Sequence, residues 1–448
     1  MAMMSKAKPR LLAAMMAKAC LATVLLQASG AQALGFLQAY EAALKNDPTF
    51  RSAYYTNEAG KENRQLGLSN LLPNLSGGYS ASQNRTTVTQ GDRVAPYDYI
   101  SRSATLQLRQ SLFNLDGWAR FKQGKAQSNY AASVYDSQRQ EVIFRVANAY
   151  IDLLFKEDLM ALATVERDMY AEQRKVNDRM FEKGEGTKTD MLETQARLDG
   201  AEAQVLEYTE NLMVSRETLA TIIGGEVGEV DRLSPDFRIR PSDGQTFEYW
   251  KQIAIETNPD IKAIAFSVEI AHQEYNKARA AYTPRVDFVA TYGKTSSDAI
   301  STVNQDQIVR SIGVQLNVPL YSGGQLGAQR RQTVANEEKA KADLQAQTDK
   351  VLLELRKDYG VMFSSVKRVD ALMKSVASAE LLITATEQSI KGGVRINLDA
   401  LNAKQQLYTA KRDLAQARYN YLLTSLRMRA SVGTLGDSDV REIAAYFH

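Results

Sequence analysis

Two histidines, His272 and His448, and one cysteine, Cys20, are the whole supply of imidazole and thiol in this chain of 448 residues. A zinc site draws on clustered Cys, His and carboxylates, and a Ser/His/Asp triad needs a histidine beside its nucleophile. Neither histidine has such company, and a lone cysteine provides no disulfide framework. The stretch Gly184-Glu185-Gly186-Thr187-Lys188 has the glycines and lysine of a phosphate loop without their order: G-x-x-x-x-G-K-[ST] is absent, and no strand pattern precedes it. No set of nucleophile, base and oxyanion donor can be assembled, so the residues argue against an enzyme. What remains with chemical potential is a small group of charged and polar side chains around two glycine-bearing turns, near 184 and 393. Their role depends on the elements that carry them.

Charge balance narrows the setting. The chain has 55 Lys+Arg against 52 Asp+Glu, but Lys6, Lys8, Arg10 and Lys18 lie in an acid-free leader, which leaves 51 basic and 52 acidic residues in the rest. A near-neutral body carries no nucleic-acid footprint. Residues 1–33 run from that basic start through an apolar stretch, Leu11 to Leu26, to Ala31-Gln32-Ala33, the pattern of a signal peptide cleaved after Ala33. The apolar run is shorter than a spanning helix needs, and Lys18 interrupts it. Lys18 also stands where a lipoprotein signal before Cys20 needs a small apolar residue, which argues against acylation.

Prolines and repeats organise the remainder. The nine prolines leave 97–234 and 320–448 free of any, and long helices can form there. Asn46-Asp47-Pro48 recurs as Thr257-Asn258-Pro259, and Leu72-Pro73-Asn74-Leu75 as Thr283-Pro284-Arg285-Val286. Tyr150, Gly184, Asp190, Leu192 and Gly224 recur as Tyr359, Gly393, Asp399, Leu401 and Gly433. Matches in constant order and near-constant register indicate duplication. The expected organisation is a signal peptide at 1–33, a first repeat at 34–240 and a second at 241–448. Each repeat reads helix, strand, strand, long helix, shorter helix.

The strand segments alternate with period two. Ile100, Ala104, Leu106, Leu108 and Leu112 oppose Ser103, Thr105, Gln107 and Arg109. The pattern returns over 286–292 and 308–318, and more weakly over 75–81. One-sided strands of about 9–13 residues suit a transmembrane β-barrel, although a soluble half-buried sheet would look the same locally. Beyond the strands, Leu352, Leu355, Tyr359, Met362, Val366, Val369, Met373 and Val376 step by three and four as a coiled-coil seam, and Ile143, Val146, Tyr150 and Leu153 open its counterpart. A helix over 118–180 would extend about 90 Å, and flanking helices over 38–70 and 190–222 roughly 50 Å each. These lengths predict a tube wall. Four strands cannot close on themselves, and lipid tolerates no open edge, so closure needs other copies. Eight strands from a dimer and twelve from a trimer both remain open on this argument.

The order and punctuation of these segments resemble the TolC family of outer-membrane efflux and secretion ducts. The resemblance is carried by Leu72-Pro73-Asn74-Leu75, Gln110-Ser111-Leu112-Phe113, Pro319-Leu320-Tyr321-Ser322-Gly323-Gly324, the turn from Phe181 to Asp190, and the closing Ala415-Gln416-Ala417-Arg418-Tyr419-Asn420-Tyr421. It implies a mixed α+β membrane protein, a homotrimer whose 12-stranded β-barrel lies in the lipid bilayer of the outer membrane, continued by an α-helical coiled-coil barrel across the periplasm. The turn Gly184 to Asp190 looks most like members that serve ATP-driven type I secretion, including metalloprotease exporters. By resemblance the partners are a periplasmic adaptor and an inner-membrane ABC transporter, and no cofactor or nucleic acid is implied.

In this family the turns farthest from the membrane form a gate. By position, Thr189, Asp190 and Arg395 match residues whose bonds between helices hold it shut, and Asp399 matches a carboxylate of the ring that narrows the pore. Two positions depart from the pattern: Asn402 replaces a second ring carboxylate, and Ile390 replaces a gate tyrosine. Helix capping is a competing role for Thr187, Thr189 and Asp190, and for Asn397 and Asp399. Tyr79, Tyr97, Tyr99, Phe113, Tyr292 and Tyr321 are candidates for interfacial girdles. Two other functions stay in view: small-molecule efflux on the same fold, and a periplasmic coiled-coil adaptor.

Overall fold

A computed structural model describes residues 33–234, 237, 239, 244–297 and 305–448. The leader up to residue 32 and the 240/241 boundary lie outside the described residues. Proline sets the first departure from expectation. The helix expected over 38–70 is two helices, α1 Phe36–Asn46 and α2 Pro48–Ser69, because Pro48 takes the first helical position and Asp47 caps it, accepting from the Thr49 amide at 2.8 Å. The second half repeats the break. Helix α5 spans Phe247–Thr257 and α6 spans Pro259–Ala280, with the Asn258 side chain accepting from the amides of Asp260 and Ile261.

The remaining elements follow the expected order. Strands β1 Asn74–Gln90 and β2 Arg93–Phe113 lead to helix α3 Leu115–Glu182 and helix α4 Lys188–Ile223; strands β3 Arg285–Ser297 and β4 Gln305–Asn317 lead to α7 Gln325–Lys391 and α8 Asn397–Val432. A short α9 covers Asp437–Ala444. The long helices have 68 and 67 residues, and α4 and α8 have 36 each.

Strands and helices share one lateral order. The sheet is antiparallel in the order β1-β2-β3-β4, and α2, α3, α6 and α7 pack side by side in the same order. Each strand therefore continues as a helix of one wall. Directly opposed residues point to the same side of a sheet. Pairing of Leu75 with Leu108, Leu108 with Ala290 and Ala290 with Ile312 thus joins one apolar face across all four strands, while Ser76, Gln107, Thr291 and Ser311 line the other. Leu75 is 64% exposed and Ile312 79% exposed, so among the described residues nothing covers these ends of the apolar face. Strands β1 and β2, at 17 and 21 residues, exceed the expected length, because the hairpin pairs without interruption to Gln90 and Arg93 and turns at Gly91 (φ 64°). Among the described residues, the outer edges of β1 and β4 have no partner strand.

Helix α3 is about 100 Å long, and α2 and α4, roughly 33 and 54 Å, lie end to end along it. The joint is hydrogen-bonded. The Asn46 amide donates to the Ile223 carbonyl at 2.7 Å, closing α4 where Gly224 turns left-handed (φ 71°). At the equivalent joint Asn258 donates to the Ser431 carbonyl at 2.9 Å and Thr257 to the Val432 carbonyl at 2.8 Å. The main core lies beside the first joint: Ile143, Val146, Tyr150 and Leu153, the expected seam, are fully buried with Phe36, Leu219, Leu422 and Leu426. In the second seam Leu355 and Val369 are buried, whereas Met373 is 46% exposed. Among the described residues no helix is long and apolar enough to cross a membrane.

Candidate functional site at the hairpin tips

The far ends of α3/α4 and α7/α8 are built on one backbone pattern. In the first turn the Glu185 amide donates to the Met180 carbonyl at 2.9 Å and the Gly184 amide to Phe181 at 2.9 Å. In the second, Val394 donates to Ser389 at 3.0 Å and Gly393 to Ile390 at 2.9 Å. Gly184 and Gly393 both take positive φ, 77° and 72°, a conformation that disfavours any Cβ.

The side chains then differ. Thr187 caps α4, its hydroxyl accepting from the Asp190 amide at 3.1 Å, and the Asp190 carboxylate accepts in return from the Thr187 amide at 3.2 Å and hydroxyl at 2.6 Å. This is a capping box, so within the chain the Asp190 carboxylate serves its own helix. The Asp190 carbonyl accepts from Thr194 Oγ1 at 2.8 Å, and the buried Asn177 donates to the same hydroxyl at 2.7 Å, pinning α4 to α3. Helix α8 starts after Ile396 with no side-chain cap, and Asp399 sits in its first turn. Among the described residues, the side chains of Arg395 and Asp399 make no hydrogen bond or ion pair within the chain.

A groove of 610 Å³ separates the two tips. Thr189, Asp190 and Ile390 line it, with Val176, Met180 and Leu398 among the apolar residues there; Arg395, Asp399 and Asn402 do not. The apolar wall includes Ile390, where the resemblance would have a tyrosine. Asn402 makes a different connection: Arg197 on α4 donates to its side-chain oxygen at 2.9 Å and also pairs with Glu193 at 3.3 Å. Further from the tip Tyr170 on α3 donates to Gln405 Oε1 on α8 at 2.9 Å. The two hairpins are therefore tied directly, and of these four residues the sequence pattern singles out Asn402 alone, as a position in the pore-narrowing ring. For the others the signal was faint: Glu166 and Tyr170, four apart on α3, are polar or amphipathic residues at buried helix positions. Burial raises the Glu166 carboxyl above its ordinary range, opposed by the Tyr170 hydroxyl, Arg197 and Arg412 beside it.

Comparison with known proteins places this architecture. A family model described as "Outer membrane efflux protein" matches residues 39–225 and 250–434, one stretch on each half. The chain belongs to the outer membrane efflux protein family. The alkaline protease secretion protein AprF of Pseudomonas aeruginosa is 38% identical over 95% of this chain and 90% of its own length. The proteases secretion protein PrtF of Dickeya chrysanthemi is 34% identical, with 96% and 95% covered. The outer membrane protein TolC of Escherichia coli is 26% identical, with 91% and 84% covered. Among solved structures, the outer membrane protein VceC of Vibrio cholerae matches with a TM-score of 0.76 at 18% identity, covering 89% of this chain and 96% of that one. This member of the family thus has the TolC-like fold, mostly helical with a four-stranded sheet per chain, and is a protein of the outer membrane.

Proposed function

We propose that this chain is the outer-membrane duct of a type I secretion system, passing an unfolded protein such as a protease across periplasm and outer membrane. Relatives named for protease secretion, at 38% and 34% identity over nearly the whole chain, are the observation that carries the cargo. Three copies close the structure. Hydrogen bonding of the β4 edge to the next copy's β1 satisfies the backbone groups that lipid would leave unpaired, and makes a 12-stranded barrel with the Leu75–Ile312 face toward lipid. The tube hangs into the periplasm with its tips farthest from the membrane. We read residues 34–240 and 241–448 as two copies of one unit, in keeping with their matched helix lengths.

The duct is passive. Energy comes from an inner-membrane ABC transporter, and a periplasmic adaptor joins it to the tips. Closure combines the inter-hairpin ties at Arg197–Asn402 and Tyr170–Gln405 with bonds between copies. The Arg395 side chain, with no partner among the described residues, is available for such bonds, as are Thr189 and Asp190 along the groove. Ile390 contributes apolar contact where a hydrogen bond would otherwise stand. Asp399, repeated three times around the axis, forms the anionic constriction. Native mass spectrometry of protein extracted from outer membranes tests the assembly: three mature chains per particle are expected, and a monomer or a soluble periplasmic location would favour an adaptor-like scaffold.

A further inference from the structure

The junctions where strands become helices expose large side chains: Leu115, Trp118 and Tyr282 beside β2 and β3, and Leu320 and Tyr321 after β4. Trp and Tyr concentrate where a bilayer meets water, and the apolar sheet face ends at this level. One cavity opens here, 330 Å³ between the start of α3 and the end of α6, lined by Trp118, Lys122, Asn276, Arg279 and Thr283 among others. Its two cations have no anionic partner among the described residues. Arg279 lies over the Tyr275 ring, 5.7 Å from the centroid, and Lys122 makes no ion pair or hydrogen bond. Their neighbours differ. Arg120 pairs with Asp116 at 2.6 Å, Lys277 with Glu274 at 2.6 Å, and Glu274 also accepts from Gln123 at 2.8 Å. The local carboxylates are spent elsewhere, and two positive charges remain facing an amphipathic cavity.

We propose that this cavity holds the phosphate of an anionic phospholipid from the periplasmic leaflet of the outer membrane. The proposal rests on the membrane reading above. A lipid suits the cavity better than a free anion, because Leu115, Trp118 and Ala119 give it an apolar wall at the level where the lipid-facing sheet ends. Lys122 lies two helical turns into α3, where its long stem can carry the ammonium toward headgroups. Basic pockets beside membrane helices recognise acidic headgroups in the same way. A lipid clamped between α3 and α6 would fix the height of the strand-to-helix junction in the membrane.

The test uses the full chain reconstituted into phosphatidylethanolamine vesicles with and without phosphatidylglycerol, scored first for flotation. Lipid kept after detergent extraction is then counted by native mass spectrometry. Parent protein should retain phosphatidylglycerol, and Lys122→Gln with Arg279→Gln together should weaken retention roughly tenfold or more, two lost charges near an acidic surface. Lys277→Gln should change nothing, and inorganic phosphate should not displace the lipid. Protein that floats but retains lipid equally in all variants, or that loses it to inorganic phosphate, overturns the site alone. Protein that does not float overturns the membrane reading and the site with it.

Discussion

Arg197 donates to Asn402 at 2.9 Å across the gap between the two hairpins. Where a carboxylate ring would place a second acid, this chain has a neutral amide turned to the adjacent hairpin. Asn402→Ala removes the acceptor and leaves a half-buried guanidinium with Glu193 alone. We expect a looser closed state, with severalfold higher single-channel conductance in planar bilayers. Conductance equal to the parent would show that this tie does not hold the tips.

Asp399 sits in the first turn of α8, a helix whose start has no side-chain cap. In the proposed trimer three such carboxylates close together would create a concentrated negative potential. Asp399→Ala should lower the cation selectivity of the closed duct, read as a shift of reversal potential toward zero in a salt gradient. An unchanged reversal potential would remove Asp399 from the constriction.

Glu166 provides a pH test. Its folded-state pKa is raised by burial, so its contribution to stability is fully present below the unfolded-state value and is lost as pH rises through the folded one. Tyr170, Arg197 and Arg412 face it and limit the shift. Glu166→Gln imitates the protonated acid. Thermal melts should find the variant more stable than the parent at pH 7, on the order of 1 °C, with the difference vanishing on acidification. A difference that grows on acidification would contradict the sign.

Gly393 and Gly433 share a left-handed backbone and differ in surroundings. A Cβ at Gly393 meets nothing within 4 Å, whereas one at Gly433 would lie 2.5 Å from the Asn258 Cα. Gly393→Ala should cost about 1–2 kcal/mol, the strain of the conformation. Gly433→Ala adds a backbone clash at the joint between α8 and α6, and should sharply lower the yield of heat-stable assembled protein. Equal yields would mean the joint yields freely.

Much of this organisation was legible in sequence, for identifiable reasons. Period-two alternation located the stretches where one strand face is apolar and missed the outer part of the β1–β2 hairpin, where Gln83, Arg85 and Asp98 break the pattern; the seam through Ile143, Val146, Tyr150 and Leu153 is the core. Pro48 was visible, yet the break it makes in the helix was missed, because Asp47-Pro48 both caps and starts a helix without interrupting the apolar pattern. Asp190 could be read as gate or cap, and within the chain its carboxylate is a cap. The ties from Arg197 and Tyr170 were barely legible. They join residues more than 200 positions apart, through polar side chains that periodicity cannot distinguish from a solvated face.

The central claim is that this duct exports protein, and deleting the chain from its host tests it most directly. Secreted protein in the medium and drug sensitivity would be measured together. A protein-secretion duct predicts loss of a secreted protease with drug sensitivity unchanged; normal secretion with heightened drug sensitivity would contradict it.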